Sequence, residues 1–452
     1  MYNVLIRPLV IQDALTSYQW RNDNEVWKYT GSRPNIDITA EIESSWIEKV
    51  LQDISSKRFA ILCNTQYIGN IQLTNIKEKT AEFHIFIGNK DFWGKGISQL
   101  ATYQILYYAK EILKLDEVYL TVRPENKAAV KSYQNNNFSI IQETEEFIKM
   151  SLKLSELSPP TLSIFVMVYN HGIYLKECLD SLLMQKTAFN YDIVIGEDCS
   201  TDHSREILLN YQKLYPGKFK LLLHDKNIGA ANNQEQTYKN CTGKYIAVCE
   251  GDDYWTDPLK LQKQVDFLEG NNDYSMCFHN VEKIDIEGKI LDIPITESET
   301  AEKAYTIEDL AEGNFIHTAS VIFRKNFEAL PSWIISSPAG DYPIHMINAS
   351  YGLIKYFPEK MGAYRIGQGI WSSQTKQIQY INTIFVIKLM IANLSLNEQV
   401  VKNLNEQIQR LILYIRDTLP VSNYPQDPEK AAYSLSIKKL IIILLKKIRY
   451  SF

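Results

Sequence analysis

Two neighbouring carboxylates close the run Lys244-Tyr245-Ile246-Ala247-Val248-Cys249-Glu250-Gly251-Asp252-Asp253-Tyr254-Trp255. Carboxylate oxygens suit a hard divalent cation, and such a cation neutralises a departing diphosphate without proton transfer. In an extended backbone, Asp252 and Asp253 point to opposite faces and need not share one role. A second stretch, Gly88-Asn89-Lys90-Asp91-Phe92-Trp93-Gly94-Lys95-Gly96-Ile97-Ser98, carries glycines that let the backbone approach a ligand closely. Apolar residues at helical spacing follow, and free amides at a helix start attract phosphate, so this stretch reads as a pyrophosphate cradle.

Both stretches need strands to position them. Tyr245 to Cys249 is apolar throughout, as expected of a parallel strand buried on both faces, and ligands collect beyond the carboxyl ends of such strands. Ser163 to Tyr169 runs into Asn170, and Tyr191 to Gly196 runs into Glu197-Asp198-Cys199-Ser200-Thr201-Asp202. Three strands therefore deliver polar groups to one sheet edge. Nearer the N-terminus, Ala81 to Ile87 and Val118 to Val122 read as strands. The first feeds the glycine loop and a helix from Ile97; the second feeds Arg123-Pro124-Glu125-Asn126 and a helix through Tyr133. The expected fold class is α/β in both units, turning helical beyond about Ser373, where Ile381 to Leu394 is apolar and Glu398 to Leu413 amphipathic.

Taken in order, Tyr169-Asn170, Glu197 to Asp202, Asn227-Ile228-Gly229, Glu250-Gly251-Asp252-Asp253, Trp255 and Asp257-Pro258 resemble the family 2 glycosyltransferases of GT-A fold, over residues 161–375. The resemblance implies inverting transfer of a sugar from a nucleotide to an acceptor hydroxyl. It puts Glu250-Gly251-Asp252-Asp253 where the family has its Asp-x-Asp motif, with Asp252 near the ribose and a Mn²⁺ or Mg²⁺ ion and Asp253 on that ion. Tyr169, Asn170 and Asp198 then surround the base of a UDP- or dTDP-linked donor, and Trp255 falls on the acceptor side. Gly340-Asp341-Tyr342-Pro343 looks like the family's late acidic motif, which makes Asp341 the expected base for the acceptor hydroxyl. Many relatives have a histidine shortly after the Tyr-Arg pair, whereas Gly367 follows Tyr364-Arg365 here.

The N-terminal pattern, with Ile6-Arg7-Pro8-Leu9 and Tyr18-Gln19-Trp20-Arg21-Asn22-Asp23 at its start, resembles the GNAT N-acetyltransferases of the ribosomal-protein and amino-sugar branch. By that resemblance the amides of Trp93, Gly94, Lys95, Gly96, Ile97 and Ser98 hold the acetyl-CoA pyrophosphate, and Asn126 contacts the pantetheine arm. Tyr133 protonates the leaving thiolate, a role suited to a phenol with a pKa near 10. Glu82 and His84 share one strand face with Phe86, and either could take the proton of the amine.

The 452 residues divide on this reading into a GNAT domain (1–152), a linker with Pro159-Pro160 (153–161), a GT-A domain (162–375) and a helical extension (376–452). A net charge of -5 gives no electrostatic footprint for nucleic acid. The six cysteines lack metal-ligand spacing and read as reduced cytosolic thiols, and no signal-peptide pattern opens the chain. Lys438, Lys439, Lys446, Lys447 and Arg449 flank the apolar Leu440 to Leu445, a centre too short to span a bilayer. Peripheral contact with the inner face of the cytoplasmic membrane, or packing on the protein, is expected of that tail. The function expected is N-acetylation of an amino sugar or its nucleotide, together with sugar transfer to a glycan, lipid-linked or protein acceptor. The alternatives are a GNAT-like unit that only binds, or one that acetylates a protein N-terminus.

Overall fold

The computed structural model describes residues 1–29, 35–292, 301–367 and 369–418. Strands β1 (Val4–Pro8), β2 (Lys57–Cys63), β3 (Gln66–Lys77), β4 (Thr80–Ile87), β5 (Glu117–Val122), β6 (Ser139–Glu143) and β7 (Ile148–Lys153) form one sheet in the order β1-β2-β3-β4-β5-β7-β6. Helices α1 (Ala14–Asn22), α2 (Ala40–Leu51), α3 (Ile97–Glu111) and α4 (Lys127–Gln134) accompany it. β4 and β5 are parallel and pair only from Thr80 and Glu117 to Glu82 and Tyr119. Beyond Glu82, the described ladder of β4 is to β3 alone, so β4 and β5 part. The strand period of two sends Ala81 and Phe83 into a core with Ile97, Ala101 and Ile105 of α3, and leaves Glu82 and His84 on the other face.

The second sheet is built from β8 (Leu162–Val168), β9 (Tyr191–Glu197), β10 (Phe219–Leu223), β11 (Tyr245–Glu250), β12 (Tyr254–Trp255), β13 (Tyr274–Ile284), β14 (Lys303–Tyr305), β15 (Ile322–Arg324) and β16 (Leu353–Arg365). Its order is β10-β9-β8-β11-β15-β13-β16-β12, with β14 on β16. β10, β9, β8 and β11 run parallel, so the ends of β8, β9 and β11 meet along one edge as their sequences imply. β11 is parallel only to β8; its other neighbour, β15, is antiparallel. Helices α5 (Leu175–Leu183), α6 (Ser204–Leu214), α7 (Ala230–Asn240), α8 (Lys260–Gly270), α9 (Ile307–Leu310), α10 (Asp341–Ala349), α11 (Gly369–Ser372), α12 (Lys376–Asn393) and α13 (Glu398–Asp417) complete the described chain.

The last two helices do not stand apart. Ile384, Val386, Ile387 and Met390 of α12 and Val400, Leu404, Ile408 and Ile415 of α13 share a buried cluster with Phe165, Val194 and Val248 of the sheet. At about 1.5–3 kcal/mol for each fully buried side chain, this packing anchors the helices to the sheet. Their starts are capped by Thr375 and Asn397, whose side chains accept the N–H of Ile378 and Val400. The expected linker contains a short turn, Leu154–Glu156, and Leu154 and Leu157 are buried.

The two units also meet directly. The Asn3 amide donates to the carbonyls of Leu183 and Gln185, Tyr107 donates its hydroxyl to Asp192 at 2.9 Å, and Leu5 lies in the second unit's core. The basic tail from Ser436 lies outside the described residues. Among those described, no helix is long and apolar enough to cross a membrane.

Candidate active sites

β11 ends at Glu250, and the Asp253 N–H donates back to the Glu250 carbonyl at 3.1 Å, closing a turn. This turn replaces the extended backbone expected from the sequence. Glu250, Asp252 and Asp253 no longer alternate between faces; each offers a carboxylate oxygen, all within 4.8 Å of one another. Gly251 makes the turn possible, since a Cβ there would lie 2.6 Å from His171 Nδ1. The Arg365 N–H donates to Asp253 Oδ1 at 2.8 Å, while Asp253 Oδ2 is buried without a partner. Arg365 does not neutralise the cluster: its guanidinium bonds the carbonyls of Asp252 and Asp285 and the carboxylate of Glu177. Burial, then Asp252, holds Asp253 well above the ordinary carboxylate range; burial, then Asp252 and Asp341, pushes Glu250 up to about 8. A dry carboxylate cluster with an orphaned oxygen fits a hard divalent cation, which Asp252, Asp253 and Glu250 would hold.

The same cavity, about 1090 Å³, is lined by Tyr169, Asn170, Asp198, Asp252, Asp253 and Asp341. Asn170 adopts φ 58°, and its side-chain oxygen accepts the Thr201 N–H at 2.8 Å. Asp198 accepts the Ile228 N–H at 2.7 Å, which draws the Asn227-Ile228-Gly229 loop to the end of β9. Asp341 opens α10 and accepts the Asn314 amide at 3.3 Å. Asn314 also lies 3.3 Å from Nδ1 of His345, one turn along the same helix. Burial drives His345 down to about 4, against the pull of Asp341, so its ring is neutral and its Nδ1 carries the proton for the Asn314 oxygen.

Trp255 stands elsewhere than expected. It is 1% exposed, donates its indole N–H to the Ala319 carbonyl at 2.8 Å and carries Nζ of Lys260 4.0 Å from its ring centre. Pairing of β12 with β16 turns this side chain into the core, away from the cavity.

In the first unit, Gly94 and Gly96 have φ of +70° and +75°, with open space where a Cβ would project, and α3 begins at Ile97. The Trp93 N–H already donates to the Lys90 carbonyl and its indole to the Ile87 carbonyl. The open amides therefore run from Gly94 through Lys95, Gly96 and Ile97 to Ser98. Asn126 caps α4 by accepting the Ala129 N–H at 3.2 Å. Tyr133 is half-buried against the rings of Phe83 and Phe138, and burial pushes its phenol up to about 12, so it holds its proton. His84 Nε2 lies 3.0 Å from the Thr74 hydroxyl, and Glu82 accepts the Asn75 amide at 2.8 Å. Burial lowers the His84 pKa despite Glu82, which keeps the ring neutral and able to take a proton.

Comparison with known proteins bears on both units. The family model for the acetyltransferase (GNAT) domain matches residues 3–139, and that for glycosyl transferase family 2 matches residues 163–330. Acetyltransferase PseH of Campylobacter jejuni is 31% identical over 145 residues, which are 32% of this chain and 88% of PseH. The chain joins a GNAT acetyltransferase domain at residues 3–139 to a family 2 glycosyltransferase domain at residues 163–330. An uncharacterized protein of Mycobacterium tuberculosis is 36% identical over 216 residues, 47% of this chain and 61% of that protein, so the chain spans less than two thirds of its relative. The crystal structure of S. aureus TarS with UDP, 18% identical, superposes with a TM-score of 0.44 over 58% of this chain and 76% of TarS.

In the glycosyltransferase domain, sequence reasoning missed Asn314 and His345. The spacing of His345, four residues after Asp341 on a helix, was a usable signal; nothing local marked Asn314. In the acetyltransferase domain it missed Arg58, which sits in register with Gln72 and, through β3, with His84. Arg58 donates to the Gln72 side chain, and its Nε is buried without a partner.

Proposed function

We propose that this chain is a two-activity enzyme of glycan assembly: the acetyltransferase domain N-acetylates an amino sugar or its nucleotide, and the glycosyltransferase domain transfers a sugar from a nucleotide to an acceptor hydroxyl with inversion. One observation carries the second half: three carboxylates with an orphaned buried oxygen share a cavity with Asp341. A divalent cation bound there would supply charge neutralisation for a nucleotide diphosphate.

Asp341 takes the proton of the acceptor hydroxyl as its oxygen attacks the anomeric carbon, and the diphosphate leaves with the electrons of the broken C–O bond. Asn314 holds one Asp341 oxygen. Tyr169, Asn170 and Asp198 bind the base, which fixes the donor's orientation. In the other domain, the amine attacks the thioester carbonyl, His84 or Glu82 takes the amine proton, and Tyr133 gives its proton to the departing thiolate. Acetyl-CoA is held by the amides from Gly94 to Ser98. TuaG of Bacillus subtilis, named for teichuronic acid biosynthesis, supports a glycan setting; EpsE of Bacillus subtilis, named a glycosyltransferase, supports sugar transfer, and PseH, named an acetyltransferase, supports acetyl transfer.

The full chain should gain thermal stability from a UDP- or dTDP-sugar only when Mn²⁺ or Mg²⁺ is present, and should release CoA thiol from acetyl-CoA with an amino-sugar nucleotide. Stabilisation by nucleotide sugars alone would remove the metal from the reading. Turnover on N-terminal peptides but not amino sugars would reassign the acetyl acceptor.

A further inference from the structure

The glycosyltransferase cavity extends past the residues that the family model matches. Trp371, Gln379 and Tyr380, together with Gln407 of α13, line it alongside Asp341, although all lie beyond residue 330, where the family match ends. We infer that this wall is a subsite for an uncharged sugar ring of the acceptor, a substrate class that rests on the proposed sugar transfer.

The wall is built rigidly. Gln379, itself buried, donates to the carbonyls of Trp371 at 2.9 Å and Gln374 at 3.3 Å, which ties α11 to α12. Tyr342 donates to Gln407 at 3.1 Å and lies within reach of the Leu310 carbonyl at 2.9 Å, which ties α13 to the residue following Asp341. Tyr380 rests 5.8 Å from the ring of Tyr414 on α13. These contacts set two aromatic side chains and a carboxamide on the wall of the cavity that Asp341 also lines, and Trp371 and Tyr380 remain partly open. Aromatic faces take the apolar C–H side of a pyranose, and amides and hydroxyls take its rim of hydroxyl groups.

Charge decides which sugar. The described lining includes five carboxylates, Asp198, Glu250, Asp252, Asp253 and Asp341, and one side-chain cation besides histidine, Arg365. Arg365 is 3% exposed and its guanidinium is already engaged by two carbonyls and Glu177. With a cation on the Glu250-Asp252-Asp253 cluster taken up by the donor diphosphate, a uronate or sugar phosphate entering beside Asp341 would meet that residue's like charge and no free side-chain cation, an unfavourable juxtaposition. The cavity volume, about 1090 Å³, lies at the upper end of small-molecule sites and leaves room for a ring beside the donor.

The test uses the full chain with Mn²⁺ and whichever of UDP-glucose, UDP-galactose, UDP-N-acetylglucosamine and dTDP-glucose it hydrolyses. Methyl β-glucoside and methyl β-N-acetylglucosaminide are offered against methyl β-glucuronide and glucose 6-phosphate. Transfer to the neutral glycosides should exceed transfer to the anions by at least about twentyfold in kcat/KM. Trp371→Ala and Tyr380→Ala should each raise acceptor KM about tenfold while donor KM moves little, and Trp371→Phe and Tyr380→Phe, which keep a ring and guard against a folding artefact, should restore most of it. Preference for either anion, or an acceptor KM unmoved in both alanine variants, overturns the subsite. Absence of metal-dependent hydrolysis with every donor instead overturns the glycosyl-transfer reading itself, and the subsite with it.

Discussion

At the end of β11, Asp253 is 2% exposed and one of its oxygens has no partner, whereas on β4 Glu82 and His84 each hold a hydrogen-bond partner and face outward. The glycosyltransferase domain thus carries a site that is electrostatically incomplete as folded. In the acetyltransferase domain the Glu82 and His84 pair is satisfied as folded and opens onto a gap between two strands, although Arg58 Nε, across β3, is buried without a partner. A buried, unneutralised cluster is costly to maintain, so its persistence points to a ligand. A satisfied, half-open pair gives no such signal, and its role must be tested by chemistry.

The sharpest way to break this contrast is Asp253→Asn. Sugar transfer should fall by about a thousandfold, because a neutral amide is a poor ligand for a hard cation, while acetyl transfer in the same chain stays intact. Paired assays on one preparation check this, and a comparable loss in both activities would indicate misfolding. Asp341→Asn should cut transfer by about a hundred- to ten-thousandfold with little change in donor affinity, read by nucleotide-sugar titration of the variant.

Smaller effects are expected on the acetyl side. Tyr133→Phe should slow acetyl transfer by about ten- to a hundredfold at unchanged acetyl-CoA affinity, with sugar transfer unaffected; a wild-type rate would make Tyr133 structural. His84 acts as a base when neutral, and burial lowers its pKa from the ordinary 6.5, so the acid limb of acetyl transfer should lie below pH 6.5. A pH–rate profile of His84→Gln that keeps the same limb would assign it to Glu82. The mildest change is Asn314→Ala, expected to cost about fivefold in sugar-transfer kcat by freeing Asp341, with donor KM steady. An unchanged pH–rate profile alongside unchanged kcat would show that Asn314 only fills space.

Strand ends and helix starts were legible because they follow from period and composition. The run Tyr245 to Cys249 is buried as expected, and α3 begins at Ile97 as the glycine loop implies. The turn at Gly251 was not legible, since an extended continuation and a turn share the same letters until His171, eighty residues earlier, closes the space above Gly251. Trp255 failed for a related reason: an aromatic after an acidic motif is equally apt to face ligand or core, and only its pairing with Gly362 decides. The wall from α12 and α13 escaped because their apolar stripes mark a core partner without naming it, and the contact of Gln407 with Tyr342 spans 65 residues.

The contacts of Asn3, Leu5 and Tyr107 with the second unit mean that Pro159-Pro160 is not a leash between two independent bodies. Asp192 is 1% exposed, and burial holds its carboxyl above the ordinary range; without the Tyr107 hydroxyl it would lose a donor it cannot recover from water. Severing the chain at the proline pair would bare Leu5 and strand that carboxyl. The two enzymes should therefore melt in one calorimetric transition, and damage to either sheet should lower the thermal survival of both activities together.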